Sequence, residues 1–465
     1  MSIEGPLPPS VAAGNPVTAE VGAQILDEGG CAADAAVAMV LTACVAETVF
    51  TGLAGGGFAI YHDAATSETT CLDFFVCVPG LAGRRETRAQ EIAIDFGGQL
   101  VPYAVGPATV AVPGVPAGMA ALHERWGRLP WRQVVEPAAA HAGRGVSFAP
   151  LHSKVLATVA PAMLLGEGGR VYARDGKVLP GGARLFHPGL EAAMRALADE
   201  GAEAFYTGSV AESIVTAIGM NGDLSYADLA AYQVEESTPR QVELGPAIVR
   251  ARGDDLDDLL GTIGALVLDP DPEVMATRLV DALRMPAHRG DTTNAAVVDH
   301  DRNICAVTTS LGLASGVWLA DYGLHLNSML GESELIRGTE RPGRRLGSMM
   351  SPLIVFQDAD PMLVAGAAGG SRIRSALLQV VVNVVHGGLG VADAIVAPRL
   401  NPVPGKVHVE PGFAPEVLQA LSTRDEVVAW PGLDAYFGGV SAIGTTGPGA
   451  DPRRGGDVRR LAEVG

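Results

Sequence analysis

The chain has 465 residues, 48% of them hydrophobic and 18% charged, so it can bury a large core and is not a disordered segment. Only 5% are aromatic, which leaves Ala, Val, Leu and Ile to fill that core, while Gly 59 and Pro 31 imply many tight turns. A formal net charge of -19 repels phosphate backbones and anionic lipid, which argues against nucleic-acid and membrane partners and favours solubility.

Five cysteines (Cys31, Cys44, Cys71, Cys77, Cys305) include no CxxC pair and cannot all pair with one another, as expected in a reducing compartment. The amino terminus shows no basic segment followed by an apolar run, and the longest apolar stretch, 35–45, is too short to span a bilayer. A soluble, cytoplasmic protein is expected.

In chain order, residues 17–30 read as a helix with Thr18 as a candidate cap and Gly29-Gly30 as the stop. Residues 32–46 form a second helix, apolar nearly all round and therefore buried. The glycine run 52–57 opens a strand at 58–61. It lacks Gly-Lys-Ser/Thr and leads into no helix, so it reads as close backbone packing and not as a phosphate cradle. Residues 69–78 alternate as the next strand of a hairpin, 109–114 as a strand ending in a turn, and 115–126 and 129–142 as helices. Three amphipathic helices follow at 190–200, 209–219 and 226–232. Asp254, Asp255, Asp257 and Asp258 lack metal-ligand spacing and read as a solvated face. From Thr293 the pattern turns to strands, at 295–299, 304–310, 353–357 and 362–366, with a hairpin turn at 299–303 and helices at 374–386 and 391–397. Strand pairs followed by helices in each half predict sheets covered by helices, in one compact α+β body.

The residue of most chemical interest is Thr292. A threonine hydroxyl is a poor nucleophile, but cutting the bond after Asp291 would free an α-amine beside it to take its proton. On local sequence alone such a Thr-Thr pair is most often just the start of a buried strand. The ten histidines, such as His62, His123, His141, His288 and His386, show no HxH or HExxH spacing, so neither a metal nor any other cofactor is expected.

Several separated stretches together resemble the gamma-glutamyltransferase family of N-terminal-nucleophile hydrolases. They are Gly29-Gly30-Cys31-Ala32-Ala33-Asp34-Ala35-Ala36, Gly55-Gly56-Gly57-Phe58, Val112-Pro113-Gly114, and His123 through Trp131. Further on come Phe205-Tyr206-Thr207-Gly208, Asp228 through Tyr232, Thr292-Thr293 with Val297-Val298-Asp299, Met350-Ser351-Pro352, Gly369-Gly370-Ser371-Arg372 and Asp451 through Gly455. The resemblance implies a four-layer αββα sandwich and a precursor that cleaves itself between Asp291 and Thr292. The products would be a large part, 1–291, and a small part, 292–465, which stay associated. Whether they assemble further into a homo-oligomer is left open. It also implies Thr292 as nucleophile, Ser310, eighteen positions on, as its hydroxyl partner, and Gly369 and Gly370 as the oxyanion hole.

The departures from the family pattern concern the substrate. Where the family places an Arg that grips the glutamyl α-carboxylate, this chain has Phe75, with Arg84 and Arg85 as the nearest candidates to reach in. After Asn327 the family's Asn-Gln-Met-Asp-Asp is replaced by Ser328 through Glu332, so Glu332 is the candidate acid for a substrate amine. Of the family's serine pair only Ser348 remains, beside Met349. These changes imply a small-molecule substrate more apolar than, or differently charged from, glutathione, cleaved at a gamma-glutamyl-type or other acyl amide. A carbon–carbon bond hydrolase acting on a small acid, and an uncut binding homologue, are the alternatives.

Overall fold

The computed structural model describes residues 5–95, 100–284, 292–333, 335–370 and 372–462; Asp291, His288 and Ser371 lie outside the described residues. Two antiparallel sheets face each other. The first runs Glu235–Ser237, Glu68–Phe74, Gly56–Asp63, Ile304–Ser310, Thr293–Val298, Ser10–Ala13, Asp457–Arg460. The second runs Arg240–Leu244, Ala247–Ala251, Leu353–Gln357, Asp360–Ala368, Gly439–Gly444, Gly447–Ala450. Both sheets contain strands from before and after residue 292, interleaved in the first, so the two halves share a single folded body.

The alternation of a β-strand explains the layering, because successive side chains point to opposite faces. On the inner faces Ala12, Ile60, Ala296 and Ala306 meet Ile354, Phe356, Val364 and Ile443. On the outer face of the first sheet, Leu72, Ala295 and Val307 pack with Ala32–Ala46 and Val115–Trp126. Ala32–Ala46 is buried at every position, as its unbroken apolar sequence requires. Arg372–Val385 and Val391–Val396 cover the second sheet. The result is the expected αββα sandwich.

Glycines let the chain lie close against the strand Ile304–Ser310 of the same sheet. A Cβ on Gly55 would sit 2.1 Å from the Ser310 carbonyl oxygen, and one on Gly57 would sit 2.3 Å from that of Thr308. The glycine run is therefore a packing device, as predicted.

Three local expectations need correction. The first helix, Pro16–Asp27, is capped by Asn15, whose Oδ1 accepts the Val17 N–H at 2.9 Å, with Pro16 preset for the first helical position. Thr18 instead points inward to Glu47. The stretch 109–114 is no strand: Pro107–Thr109 is a 3-10 turn, and only Val112 makes a bridge, to Cys77. Pro113 has no N–H to give a ladder, and a Cβ on Gly114 would lie 2.0 Å from the Phe74 oxygen. The acidic cluster is not a plain solvated face either. Asp255 accepts the N–H groups of Asp257 and Leu259, Asp258 caps Leu259–Ala265, and Asp257 is buried. Among the described residues no cluster of metal-ligating side chains occurs, and no helix is long and apolar enough to cross a membrane.

Candidate active site

Thr292 stands at the head of a central strand, Thr293–Val298, which is buried along its whole length. Thr293 pairs with Thr309, so the next step along the ladder sets Thr292 opposite Ser310; Ser310 in turn pairs with Gly56. By alternation Thr292 shares the inward face with Asn294 and Ala296, toward the second sheet. There the Gly369 N–H donates to Thr292 Oγ1 at 3.0 Å. Thr292 is only 2% exposed.

Gly369 and Gly370 link the end of Asp360–Ala368 to Arg372–Val385, with φ of +125° and +57° that side-chain-bearing residues rarely adopt. The Arg372 and Ile373 N–H groups bond back to the Gly369 and Gly370 carbonyls, both at 3.0 Å. An N–H at the Thr292 hydroxyl oxygen and the start of a long helix therefore meet at one point, and both favour negative charge. Ser310 Oγ accepts the Gly312 N–H at 3.0 Å.

The opposite face of the same strand end holds Glu47, a residue that the sequence did not single out. Thr293 Oγ1 donates to Glu47 Oε2 at 2.5 Å, and Thr18 Oγ1 donates to Glu47 Oε1 at 2.7 Å. Burial pushes the Glu47 carboxyl up, against the two threonine bonds and the nearby Arg454 charge, which pull it down. Thr292, Thr293, Glu47, His152 and Arg454 border a cavity of ≈ 10 Å³, about the size of one water molecule. Burial lowers His152 to about 3, so its imidazole is neutral at physiological pH. An acid closing an otherwise wholly apolar helix end was the available sequence signal for Glu47.

The candidate substrate residues divide. Phe75 is buried, stacked on Phe58 at 5.5 Å, and Phe58 lies under the Arg252 guanidinium at 3.6 Å. Neither Arg84 nor Arg85 reaches this region. Arg84 donates to the Glu340 carbonyl, while Arg85 donates to the carbonyls of Gly219 and Gly222. Glu332 is buried, and its Oε1 lies within 2.3 Å of where a Cβ on Gly312 would stand, which places it next to the Ser310 turn. Ser348 Oγ accepts the Met350 N–H at 3.2 Å, forming the turn that presents Met349.

Asn327 has to be corrected. Its Oδ1 accepts from the N–H groups of Ala111 and Met329, and its Nδ2 donates to the carbonyls of Ala54 and Ala111. With both ends of the amide taken by main chain, it braces the loops under the site and has nothing left to offer a substrate.

Facing sheets between helical layers, with a threonine at the head of a central strand, define the fold of N-terminal-nucleophile hydrolases. Within that class, the chain belongs to the Gamma-glutamyltranspeptidase family, whose profile matches residues 18–250 and 269–461. Among its relatives, the glutathione hydrolase proenzyme of Escherichia coli (strain K12) is 27% identical over 536 residues, covering 98% of this chain and 91% of that protein. The Acylase ACY 1 proenzyme of Pseudomonas sp. (strain SE83) is 27% identical over 500 residues, covering 93% and 89%. The crystal structure of cephalosporin acylase from Bacillus halodurans shares the fold, with a TM-score of 0.81 at 22% identity and coverage of 98% of this chain and 96% of that one.

Proposed function

We propose that the chain is a precursor that cuts itself between Asp291 and Thr292, and that the new terminal threonine hydrolyses a small-molecule amide or transfers its acyl group. One observation carries this reading: the Gly369 N–H held on Thr292 Oγ1 at 3.0 Å, at the head of the central strand. Proenzyme relatives of both the glutathione hydrolase and acylase kinds support it.

In the first step the Thr292 hydroxyl attacks the Asp291 carbonyl and the acyl group moves from nitrogen to oxygen. Water then hydrolyses that ester, leaving a free carboxylate on Asp291 and a free amine on Thr292. In turnover the amine takes the hydroxyl proton as Oγ1 attacks the substrate carbonyl. The developing oxyanion is held by the N–H groups of Gly369 and Gly370, and Ser310 orients the nucleophile from across the ladder. The amine then passes its proton to the departing amine of the substrate. Water, or an acceptor amine, resolves the acyl ester.

The positions that would meet the acyl group are Phe75, Met329 and Met349, with Glu332 and Ser348 as the polar members, all of them buried. Loss of a bidentate guanidinium contact at position 75 removes roughly 1.5–3 kcal/mol of carboxylate binding. The reading therefore favours an acylase-type substrate with an apolar acyl group over glutathione. Denaturing gels test the first step. Fragments corresponding to 1–291 and 292–465 are expected from the wild type, and a single intact band from a fully active protein would refute it. Trapping the acyl ester on Thr292 and weighing it would identify the acyl group.

A further inference from the structure

Scission turns residue 292 from the middle of a chain into its end. Chain ends fray unless something ties them down, yet a nucleophile must stay in place to within a fraction of an ångström. The fold has to supply a tie that survives the cut, and it must come from residue 293 or later. Thr293 provides one. Its side chain faces the helix layer, opposite to Thr292, and its hydroxyl is the donor in the 2.5 Å bond to Glu47. The second carboxylate oxygen of Glu47 is held by Thr18 at 2.7 Å, so the acid cannot swing away. A Cβ on Gly14 would lie 2.8 Å from Glu47 Oε2 and 3.0 Å from Thr293 Oγ1, so only glycine leaves room for this pair.

A buried carboxylate in this position is costly. Glu47 is 1% exposed and sits at the carboxyl end of Ala32–Ala46, where the helix dipole disfavours negative charge. The fold alone does not call for an acid there. The charged and titratable groups facing it are few. Arg454 lies across the small cavity and attracts it, Asp451 is itself held by Arg399 and Arg453, and His152 is neutral. Thr292 borders the same cavity, so the residue that scission turns into an amino terminus shares this enclosed space with the carboxylate.

We infer that Glu47 is a positioning residue which, through Thr293, holds the newly made amino terminus of residue 292 in register and, through its charge, favours the protonated amine. The inference rests on the proposed role of Thr292. Nothing is transferred to Glu47 and it touches no substrate. It sets where the base sits and how readily it holds a proton.

The test uses the full-length chain with Glu47→Gln, Glu47→Asp and Thr293→Val. Precursor conversion is followed on denaturing gels, folding by urea unfolding, and the amine of residue 292 by trace acetic-anhydride labelling against pH, read by mass. Glu47→Gln should slow conversion on the order of tenfold and shift half-labelling of the amine about one pH unit lower, since a neighbouring anion no longer favours the ammonium. Glu47→Asp should recover part of both. Thr293→Val should slow conversion while leaving the labelling midpoint where it was, because the charge remains. Wild-type conversion and an unchanged midpoint in Glu47→Gln would overturn the inference. So would a Glu47→Gln chain that merely unfolds more easily while Thr293→Val converts normally. A wild type that never cuts would instead sink the role of Thr292 itself, which keeps the two failures apart.

Discussion

Gly369→Ala is the substitution that most directly tests the geometry at Thr292, the proposed nucleophile. At φ +125° a side-chain-bearing residue is strained, and the added Cβ would lie 2.9 Å from Gly438 Cα and 3.1 Å from Arg454 Nη2. The arginine end can move. The Gly438 backbone cannot move cheaply, because it opens the strand Gly439–Gly444 and carries its own φ of +74°. The peptide at 369 must therefore rotate or shift, and its N–H leaves the 3.0 Å bond to Thr292 Oγ1. The strain should cost about 1–3 kcal/mol of stability, well inside the roughly 5–15 kcal/mol that holds a domain together, so the variant should fold. Losing one oxyanion donor typically costs about 10²–10³ in turnover, or roughly 2.7–4 kcal/mol of barrier.

The expected outcome is thus a folded protein with a modestly lower urea midpoint and a turnover reduced far more than its stability. The assay is hydrolysis of a panel of acyl p-nitroanilides, normalised to the fraction of chains cut. Equal turnover per cut chain in Gly369→Ala and wild type would refute the assignment of this N–H to the reacting oxygen.

Thr292→Ala should remain a single band on a denaturing gel and show no turnover, whereas Thr292→Ser, which keeps a hydroxyl, should still be cut. Asn327→Ala should lower the unfolding free energy by about 2–4 kcal/mol, because it strands the buried main-chain groups of Ala54, Ala111 and Met329; a urea midpoint like the wild type's would show that these bonds are replaceable. Acid should destabilise the fold early. Burial lowers His187 to about 4 and His152 and His325 to about 3, while their unfolded values lie near 6.5. The unfolded chain therefore binds more protons across this window, and stability falls as pH drops from about 6.5 toward those values. The loss between pH 7 and pH 5 is on the order of 2 kcal/mol per imidazole. Urea midpoints at the two pH values check it, and replacing His187 with Asn should flatten the dependence.

Long or strongly patterned elements were legible in the sequence. The fully apolar helix Ala32–Ala46, the strand Ile304–Ser310 and the helix Val115–Trp126 fall where their periodicity and punctuation put them. The missed strands lack such a pattern for physical reasons. Asp457–Arg460 is an edge strand, and edges carry charge to resist further pairing; its Arg459 bonds to Glu20 and to Asp457. Gly439–Gly444 has glycine at both ends, so it reads as a loop until its partner, Asp360–Ala368, is known. Ser10–Ala13 is four residues long, too short for alternation to register.

The site shows a sharper division. Many residues that carried the resemblance turn out to be struts. The carboxylate of Asp34 receives the N–H groups of Cys31, Arg128 and Leu129, that of Asp228 receives those of Gly80 and Leu81, and Asp451 pairs with Arg399 and Arg453. These buried acids keep the layers in register, so they mark the fold and not the chemistry. The rear wall of the site left no such trace, because the bond that defines it joins Thr293 to a residue 246 positions earlier. Each partner looks ordinary in its own stretch: Thr293 as a strand threonine, Glu47 as the acid after a helix. Only the closing of strand against helix brings hydroxyl, carboxylate and nucleophile into one enclosed corner. Because Glu47 meets the strand at Thr293 and the Gly369 N–H meets it at Thr292, substitutions at Glu47 and at Gly369 should slow the enzyme for different reasons. The first, which removes a charge, should change the amine's pH dependence more than the second.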